Sequence, residues 1–192
     1  GIPAVKPKIF DPDEAEQLRS RCQGSEAIVT AVKETEKKVK APKLYDLTTL
    51  QREANRIYGM TAKQTLDTAQ SLYEKKLITY PRTDSQYLTE DMEQTARNVV
   101  RQIYEKYQLT GPFDQPEQPD VKKVMNNSKV TDHHAIIPTM ELASCHLDEL
   151  KSWEEKILFL IAVHTVMAMS KDYIYQETEI EVECQGEIFK AK

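Results

Sequence analysis

Glycine is scarce in this chain: 192 residues contain five. No Gly-x-x-x-x-Gly-Lys loop can be assembled from them, which excludes the usual backbone cradle for nucleotide phosphates. Cysteine is equally sparse. Cys22, Cys145 and Cys184 stand singly, with no Cys-x-x-Cys pair, so the spacing implies neither a zinc site nor a disulfide framework. A reducing cytoplasm fits that usage. The longest wholly apolar run, Ile157 to Val163, is far too short to span a bilayer. No charged segment followed by an apolar core opens the chain, so no secretory signal is expected. An excess of positive charge is missing as well. The net charge of −5 rules out steering of a polyanion by the overall field, and any phosphate contact has to be local.

The pattern along the chain predicts an α+β fold, mainly α, with helices in the middle and strand-like ends. Residues 26–35 alternate as a strand through Ile28, Val29, Ala31 and Val32. Lys33, Lys37, Lys38, Lys40 and Lys43, interrupted by Glu34 and Glu36, are expected to form a solvated charged segment rather than a phosphate track. Ala41-Pro42-Lys43 breaks the pattern. Thr48-x-x-Gln51 predicts a capped helix with Leu50, Ala54, Ile57 and Tyr58 on one face, ended by Gly59. Thr61-x-x-Gln64 predicts the next, with a stripe of Ala62, Leu66, Ala69 and Tyr73. A short strand, Leu77 to Tyr80, follows, so the unit resembles a helix-turn-helix with a wing. Residues 90–107 predict another amphipathic helix through Met92, Ala96, Val99, Val100 and Ile103. A proline-bearing loop over 111–119 and a long apolar helix over 148–169 come next. Residues 174–189 alternate again, Ile180, Val182 and Cys184 opposing Glu179, Glu181 and Glu183.

The densest chemistry lies in Leu77-Ile78-Thr79-Tyr80-Pro81-Arg82-Thr83-Asp84-Ser85. Pro81 fixes its own φ near about −65° and pushes Tyr80 toward extended geometry. In an extended segment residues i and i+2 share a side, so Arg82 presents its planar fork of donors beside the phenol. A free phenol has a pKa near ~10 and needs help to attack at neutral pH. The arrangement suits a tyrosine that attacks a phosphodiester and retains one strand end as an ester. Two plainer readings compete: Tyr80 as one of nine packing tyrosines, and Arg82 as half of a surface ion pair with Asp84.

The segment resembles the active-site stretch of type IA DNA topoisomerases, in particular the bacterial topoisomerase III-like branch. Ser128-Lys129-Val130-Thr131-Asp132-His133-His134-Ala135-Ile136-Ile137-Pro138-Thr139 resembles the histidine segment of the same family, and Leu72-Tyr73-Glu74-Lys75-Lys76 fits the approach. The likeness runs from about Leu44 to the C-terminus and more weakly before it. It implies catalytic roles for Tyr80, Arg82 and His133, with Lys129, Thr139, Thr83 and Ser85 as DNA contacts. His134 is expected to pack or to make a supporting bond, since no third ligand stands at metal spacing. Single-stranded DNA is the implied substrate, cleaved and religated through a 5′-phosphotyrosyl link.

The same likeness implies that residues 44–170 form a tyrosine-bearing domain set within a strand-built arch domain, to which 1–43 and 171–192 contribute. The chain is thus expected to be a piece of a longer, cytoplasmic, nucleoid-associated enzyme. The family binds Mg²⁺ with an Asp-x-Asp-x-Glu set from an N-terminal domain. Asp11-Pro12-Asp13-Glu14-Ala15-Glu16 comes near but places alanine where the third acid belongs, and it sits where a helix start favours acids anyway. No metal residue is therefore assigned here, Mg²⁺ and the acidic domain are expected outside this chain, and the chain alone is expected to be inactive. The alternative from another class is a non-enzymatic winged-helix module that reads duplex DNA with the 61–73 helix.

Overall fold

The computed structural model describes residues 9–109 and 119–192. Its fold is α+β with helix predominating: α1 (Pro12–Cys22), β1 (Ile28–Val39), α2 (Leu47–Tyr58), α3 (Ala62–Glu74), α4 (Glu93–Tyr107), α5 (Ser152–Ala168), β2 (Tyr173–Cys184) and β3 (Glu187–Ala191). The chain divides into two compact units, one ending at Val39 and resuming at Tyr173, the other spanning Lys40–Asp172. Among the described residues no helix is long and apolar enough to cross a membrane.

The first unit is α1 and a three-stranded antiparallel sheet in the order β1-β2-β3. Helix α1 starts at Asp11, whose side chain accepts from the Asp13 N–H at 2.9 Å, with Pro12 in the first turn. The acids near the start thus serve the helix end, where the dipole favours them. Strand β1 runs four residues beyond the expected Thr35, because its lysines face glutamates. Lys33 pairs with Glu179 in register, and the Lys37 ammonium lies 3.7 Å from the Glu177 carboxylate. Opposite charges across a strand pair stabilise the pairing.

One expectation needs correction in this unit. The alternating segment 174–189 is two strands, turned at Gln185 (φ 50°) and Gly186 (φ 78°). Two residues with positive φ give the tight hairpin turn whose twist matches the strands. Cys22 and Cys184 are neighbours, each free thiol 3.7–3.8 Å from the other residue's carbonyl oxygen.

In the second unit the cap of α2 lies two residues earlier than expected. Asp46 accepts from the Thr49 N–H at 2.7 Å, and the Thr49 hydroxyl accepts from the Asp46 N–H at 3.1 Å. Asp46 outcompetes Thr48 because a carboxylate caps better and also meets the dipole. Gly59 (φ 67°) ends α2 in the left-handed region, and Thr61 with Gln64 forms the expected reciprocal cap of α3. The buried stripe of α3 is Thr65, Ala69 and Leu72, so Ala62 and Tyr73 are exposed. The stripe is rotated because α3 packs against both α2 and α5. Ile57 of α2 is exposed too.

A 3-10 turn, Glu90–Met92, precedes α4, which buries Ala96, Val99, Val100, Ile103 and Tyr104. The expected loop at 111–119 lies outside the described residues except for Pro119, whose carbonyl accepts from Arg97 at 3.2 Å. The long apolar helix begins at Ser152, and residues 147–149 form a separate 3-10 turn. Most of α5 is buried, including Ile157, Leu158, Leu160, Ile161 and Ala162. It is the centre of the core.

The N-terminus of α5 is tied to the end of α3 by one carboxylate. Glu154, 3% exposed, accepts from the Ser71 hydroxyl at 2.6 Å, the Lys75 ammonium at 2.7 Å and the Lys151 N–H at 2.9 Å. Burial alone would push its pKa up, but Lys75, Ser71 and the Lys151 N–H outweigh burial and hold it at about 2. A carboxylate depressed in the folded state adds stability above its unfolded pKa. Glu154→Ala is expected to lower the unfolding free energy by about 3 kcal/mol at neutral pH, measured in urea. The gap from the wild type should narrow as pH falls from 4.5 through about 2; a gap constant with pH would contradict the assignment.

Candidate active site

The Tyr80 segment leaves α3 through Lys76, which takes a left-handed φ of 63° and lets the Leu77 N–H reach the Leu72 carbonyl at 2.9 Å. The chain is then laced to the His133 segment. Thr79 N–H donates to the Ile137 carbonyl at 2.9 Å, and Thr139 N–H donates to Leu77 at 3.0 Å, around an antiparallel bridge of Ile78 with Pro138. Side chains extend the lacing where the backbones diverge. The Thr79 hydroxyl donates to the Ala135 carbonyl at 2.9 Å and accepts from the Ile137 N–H at 3.0 Å. The Thr83 hydroxyl donates to the His133 carbonyl itself at 3.0 Å and accepts from the Ser85 N–H at 3.1 Å. The Ser85 hydroxyl donates to the Lys129 carbonyl at 2.8 Å. The other side of the histidine segment is held by Ile136 N–H donating to Tyr45 at 2.8 Å, and Leu47 N–H donates to Thr83 at 3.0 Å.

Burial alternates along the loop. Pro81, Thr83 and Ser85 are buried, whereas Arg82 and Asp84 are exposed and Tyr80 and Gln86 half-buried. Arg82 is thus exposed and Tyr80 half so, and the chain bends at Pro81 and Arg82 instead of running extended as expected. The Tyr80 ring lies 4.3 Å from the His133 ring, centroid to centroid, at 44°. From the other element, Tyr73 of α3 meets it edge-on at 5.3 Å and 75°. Arg82 forms no ion pair among the described residues, with Asp84 or any other acid. Tyr45 and Tyr107 show the contrasting environment: both hydroxyls are buried without a partner among the described residues, and burial pushes both phenols well above the ordinary range.

The expected site residues separate into two groups. Tyr80 and His133 touch, and Arg82 is exposed two residues on from Tyr80. Thr83 and Ser85, expected as DNA contacts, are 7% and 4% exposed with both hydroxyls committed to main-chain carbonyls. Thr139 likewise turns inward: its hydroxyl donates to the Lys76 carbonyl and accepts from Glu141 N–H at 3.2 Å as the cap of a 3-10 turn. In these positions the three hydroxyls are bonded within the chain. Lys129 is exposed and lines a cavity of about 240 Å³ with Lys43, Asp84, Ser85, Gln86 and Tyr87. His134 places Nδ1 2.9 Å from the Ala135 carbonyl, so that nitrogen carries the proton and the ring is braced on its own backbone. Sequence reasoning missed Tyr73 and Tyr87 as neighbours of the site. The only signal for Tyr73 was its place at the end of the helix that delivers Tyr80.

The family model described as DNA topoisomerase matches residues 4–192. This chain belongs to that family. It is 39% identical over 188 residues to DNA topoisomerase 3 of Bacillus subtilis strain 168, covering 96% of this chain and 26% of that protein. It is 38% identical over 179 residues to DNA topoisomerase 3 of Vibrio cholerae, covering 92% of this chain and 27% of the relative. The chain thus spans about a quarter of the length of these curated relatives. A solved full-length topoisomerase I from Thermotoga maritima matches with a TM-score of 0.69 and 27% identity over 98% of this chain and 30% of that one. The type IA, topoisomerase III-like resemblance is borne out.

The lacing makes a stability prediction for this topoisomerase chain. Thr79→Val and Thr83→Val each strand buried carbonyls and amides, at about 1–3 kcal/mol. Urea melts should register that loss, whereas Thr131→Val, at an exposed position, should stay within about 0.5 kcal/mol of the wild type. Equal effects at all three positions would contradict the lacing.

Proposed function

We propose that Tyr80 is the nucleophile of a type IA topoisomerase acting on single-stranded DNA, with Arg82 and His133 holding the scissile phosphate. The observation that supports this most is the Tyr80–His133 ring contact at 4.3 Å, with the exposed Arg82 two residues on from Tyr80. The phenolic oxygen bonds to phosphorus while the bond from phosphorus to the 3′ oxygen breaks. The products are a 5′-phosphotyrosyl ester and a free 3′-hydroxyl, and the phenol's proton leaves as attack proceeds. Attack by that hydroxyl reverses the step after another strand has passed, relaxing or decatenating DNA. One phosphoester replaces another throughout, so no nucleotide need be hydrolysed.

Arg82 is suited to the non-bridging oxygens, where charge accumulates, and a preorganised donor there is worth a few kcal/mol. His133 can donate a hydrogen bond to the same phosphate or carry positive charge beside it. The family likeness implies Mg²⁺. The groups at Tyr80 do not fit that ion: the ring against the phenol is an imidazole, Arg82 is a cation, and Asp84 and Asp132, the carboxylates beside these segments, join no metal-holding cluster among the described residues, where Mg²⁺ takes oxygen donors. In this reading Mg²⁺ is held by an acidic domain of the same protein outside these residues. The setting is the bacterial cytoplasm, at the nucleoid.

In the longer enzyme, Tyr80→Phe should abolish the covalent adduct, seen as a labelled strand on a denaturing gel, with binding largely kept. Arg82→Ala should slow cleavage by roughly 10²-fold with a smaller effect on binding. Adduct persisting in Tyr80→Phe would remove Tyr80 from the mechanism. The 192-residue chain alone should neither cleave nor relax DNA; Mg²⁺-dependent relaxation by it would show that the metal site lies within it.

A further inference from the structure

Three free thiols stand outside the chemistry at Tyr80, and two of them are neighbours. Cys22 is the last residue of α1 and Cys184 the last of β2, 162 positions apart in sequence. The Cys22 sulfur lies 3.7 Å from the Cys184 carbonyl oxygen, and the Cys184 sulfur 3.8 Å from the Cys22 carbonyl oxygen. Reciprocal contacts of this kind put both side chains in the one gap between the two main chains. The thiols also hydrogen-bond each other: burial first, and that bond second, hold the Cys184 thiol above its ordinary range. Converging side chains are the geometric requirement for a disulfide, which diverging ones forbid.

The two thiols are not equivalent. Cys184 is 4% exposed, whereas Cys22 is half-buried and within reach of a reagent. Cys22 is therefore the point of entry. Around the pair the tie between helix and sheet is slight. Helix α1 buries none of its residues, and its ion pair with β3, Arg21 to Glu187 at 2.6 Å, joins two solvent-accessible side chains. Such a pair contributes little to stability. A covalent bond between Cys22 and Cys184 would supply the attachment that packing does not.

We propose that Cys22 and Cys184 form a reversible redox site, in which a low-molecular-weight disulfide such as oxidised glutathione converts the dithiol into a disulfide that ties α1 to the β2–β3 turn. The Cys22 thiolate attacks one sulfur of the small disulfide, breaking its S–S bond and releasing one small thiolate. The Cys184 thiolate then attacks the Cys22 Sγ of that mixed disulfide and releases the second. The two protein thiols give up two electrons and two protons, and the small disulfide takes them up and leaves as two thiols. An excess of the small thiol reverses both steps. In a reducing compartment a bond of this kind is a transient, sensing one and no part of a permanent framework. The site lies in the unit that does not carry Tyr80, so it stands or falls apart from the reading of that residue as nucleophile.

The test uses the 192-residue chain carrying Cys145→Ser, which leaves the pair as its only thiols. Oxidised glutathione should lower the thiol titre from two to none, and the mass should fall by two hydrogens with no glutathione retained. Tryptic mapping should recover Cys22 joined to Cys184, and dithiothreitol should restore both thiols. In the unsubstituted chain the same link should form, with Cys145 outside it. Amide hydrogen exchange in the last turn of α1 should slow by roughly tenfold on oxidation, because the tie suppresses local opening. Single variants separate the two roles. With Cys184→Ser added, glutathione should remain attached at Cys22; with Cys22→Ser added, the Cys184 thiol should stay free. Oxidation that stops at a glutathione adduct while both cysteines are present, or a link between two chains in place of one within a chain, would overturn the site. So would a Cys184 that reacts alone as fast as Cys22, or exchange in α1 that oxidation leaves unchanged.

Discussion

Two threonine hydroxyls lace the Tyr80 segment to the His133 segment. Thr79 and Thr83 donate to the carbonyls of Ala135 and His133 and accept main-chain N–H groups in return. The tyrosine and histidine segments also meet at the bridge of Ile78 with Pro138, where Ser85 donates to Lys129, and where Ala135 N–H donates to Tyr87. Neither segment belongs to a regular strand, so neither has a ladder to satisfy its backbone. A buried loop of this kind is tolerable only when each polar group finds a partner, and short hydroxyl side chains supply them.

The consequence reaches the surface. Because the odd-numbered side chains from Pro81 to Ser85 are drawn inward, the even-numbered ones are turned out. The same lacing accompanies the Tyr80–His133 contact and leaves Arg82 exposed, and the loop goes on to line the cavity at Lys43 and Lys129. The helices fix the base on which this happens. Helix α3 delivers the loop through Lys76, and the Glu154 carboxylate ties its end to α5. Rigid support under an irregular loop is what a site needs when its reacting groups come from distant parts of the chain.

Much of this was legible in the residues, and the reasons are local. Tyr80-Pro81-Arg82 carries its own backbone preference, and the Gly59 turn with the Thr61–Gln64 cap needs no neighbour to form. What the sequence could not disclose was decided by partners far along the chain. Thr83 and Ser85 looked like ligand-facing hydroxyls because nothing near them shows that the His133 and Lys129 carbonyls are waiting. The stripe of α3 was off by one position because periodicity fixes a face only to within the contact chosen by α2 and α5. Strand β1 outran its apolar residues because glutamates of β2 oppose its lysines. The Cys22–Cys184 approach is of the same kind, invisible in spacing and set by the sheet.

The most direct test is the distance between the Tyr80 and His133 rings in solution. Proton–proton cross-relaxation between the two rings should be strong in the wild-type chain, where the centroids lie 4.3 Å apart. It should fade in the Thr79→Val/Thr83→Val protein while the core resonances of α5 keep their positions. Absence of the cross-peak in the wild type, or its full persistence in the double variant, would contradict the claim that these hydroxyls assemble the site.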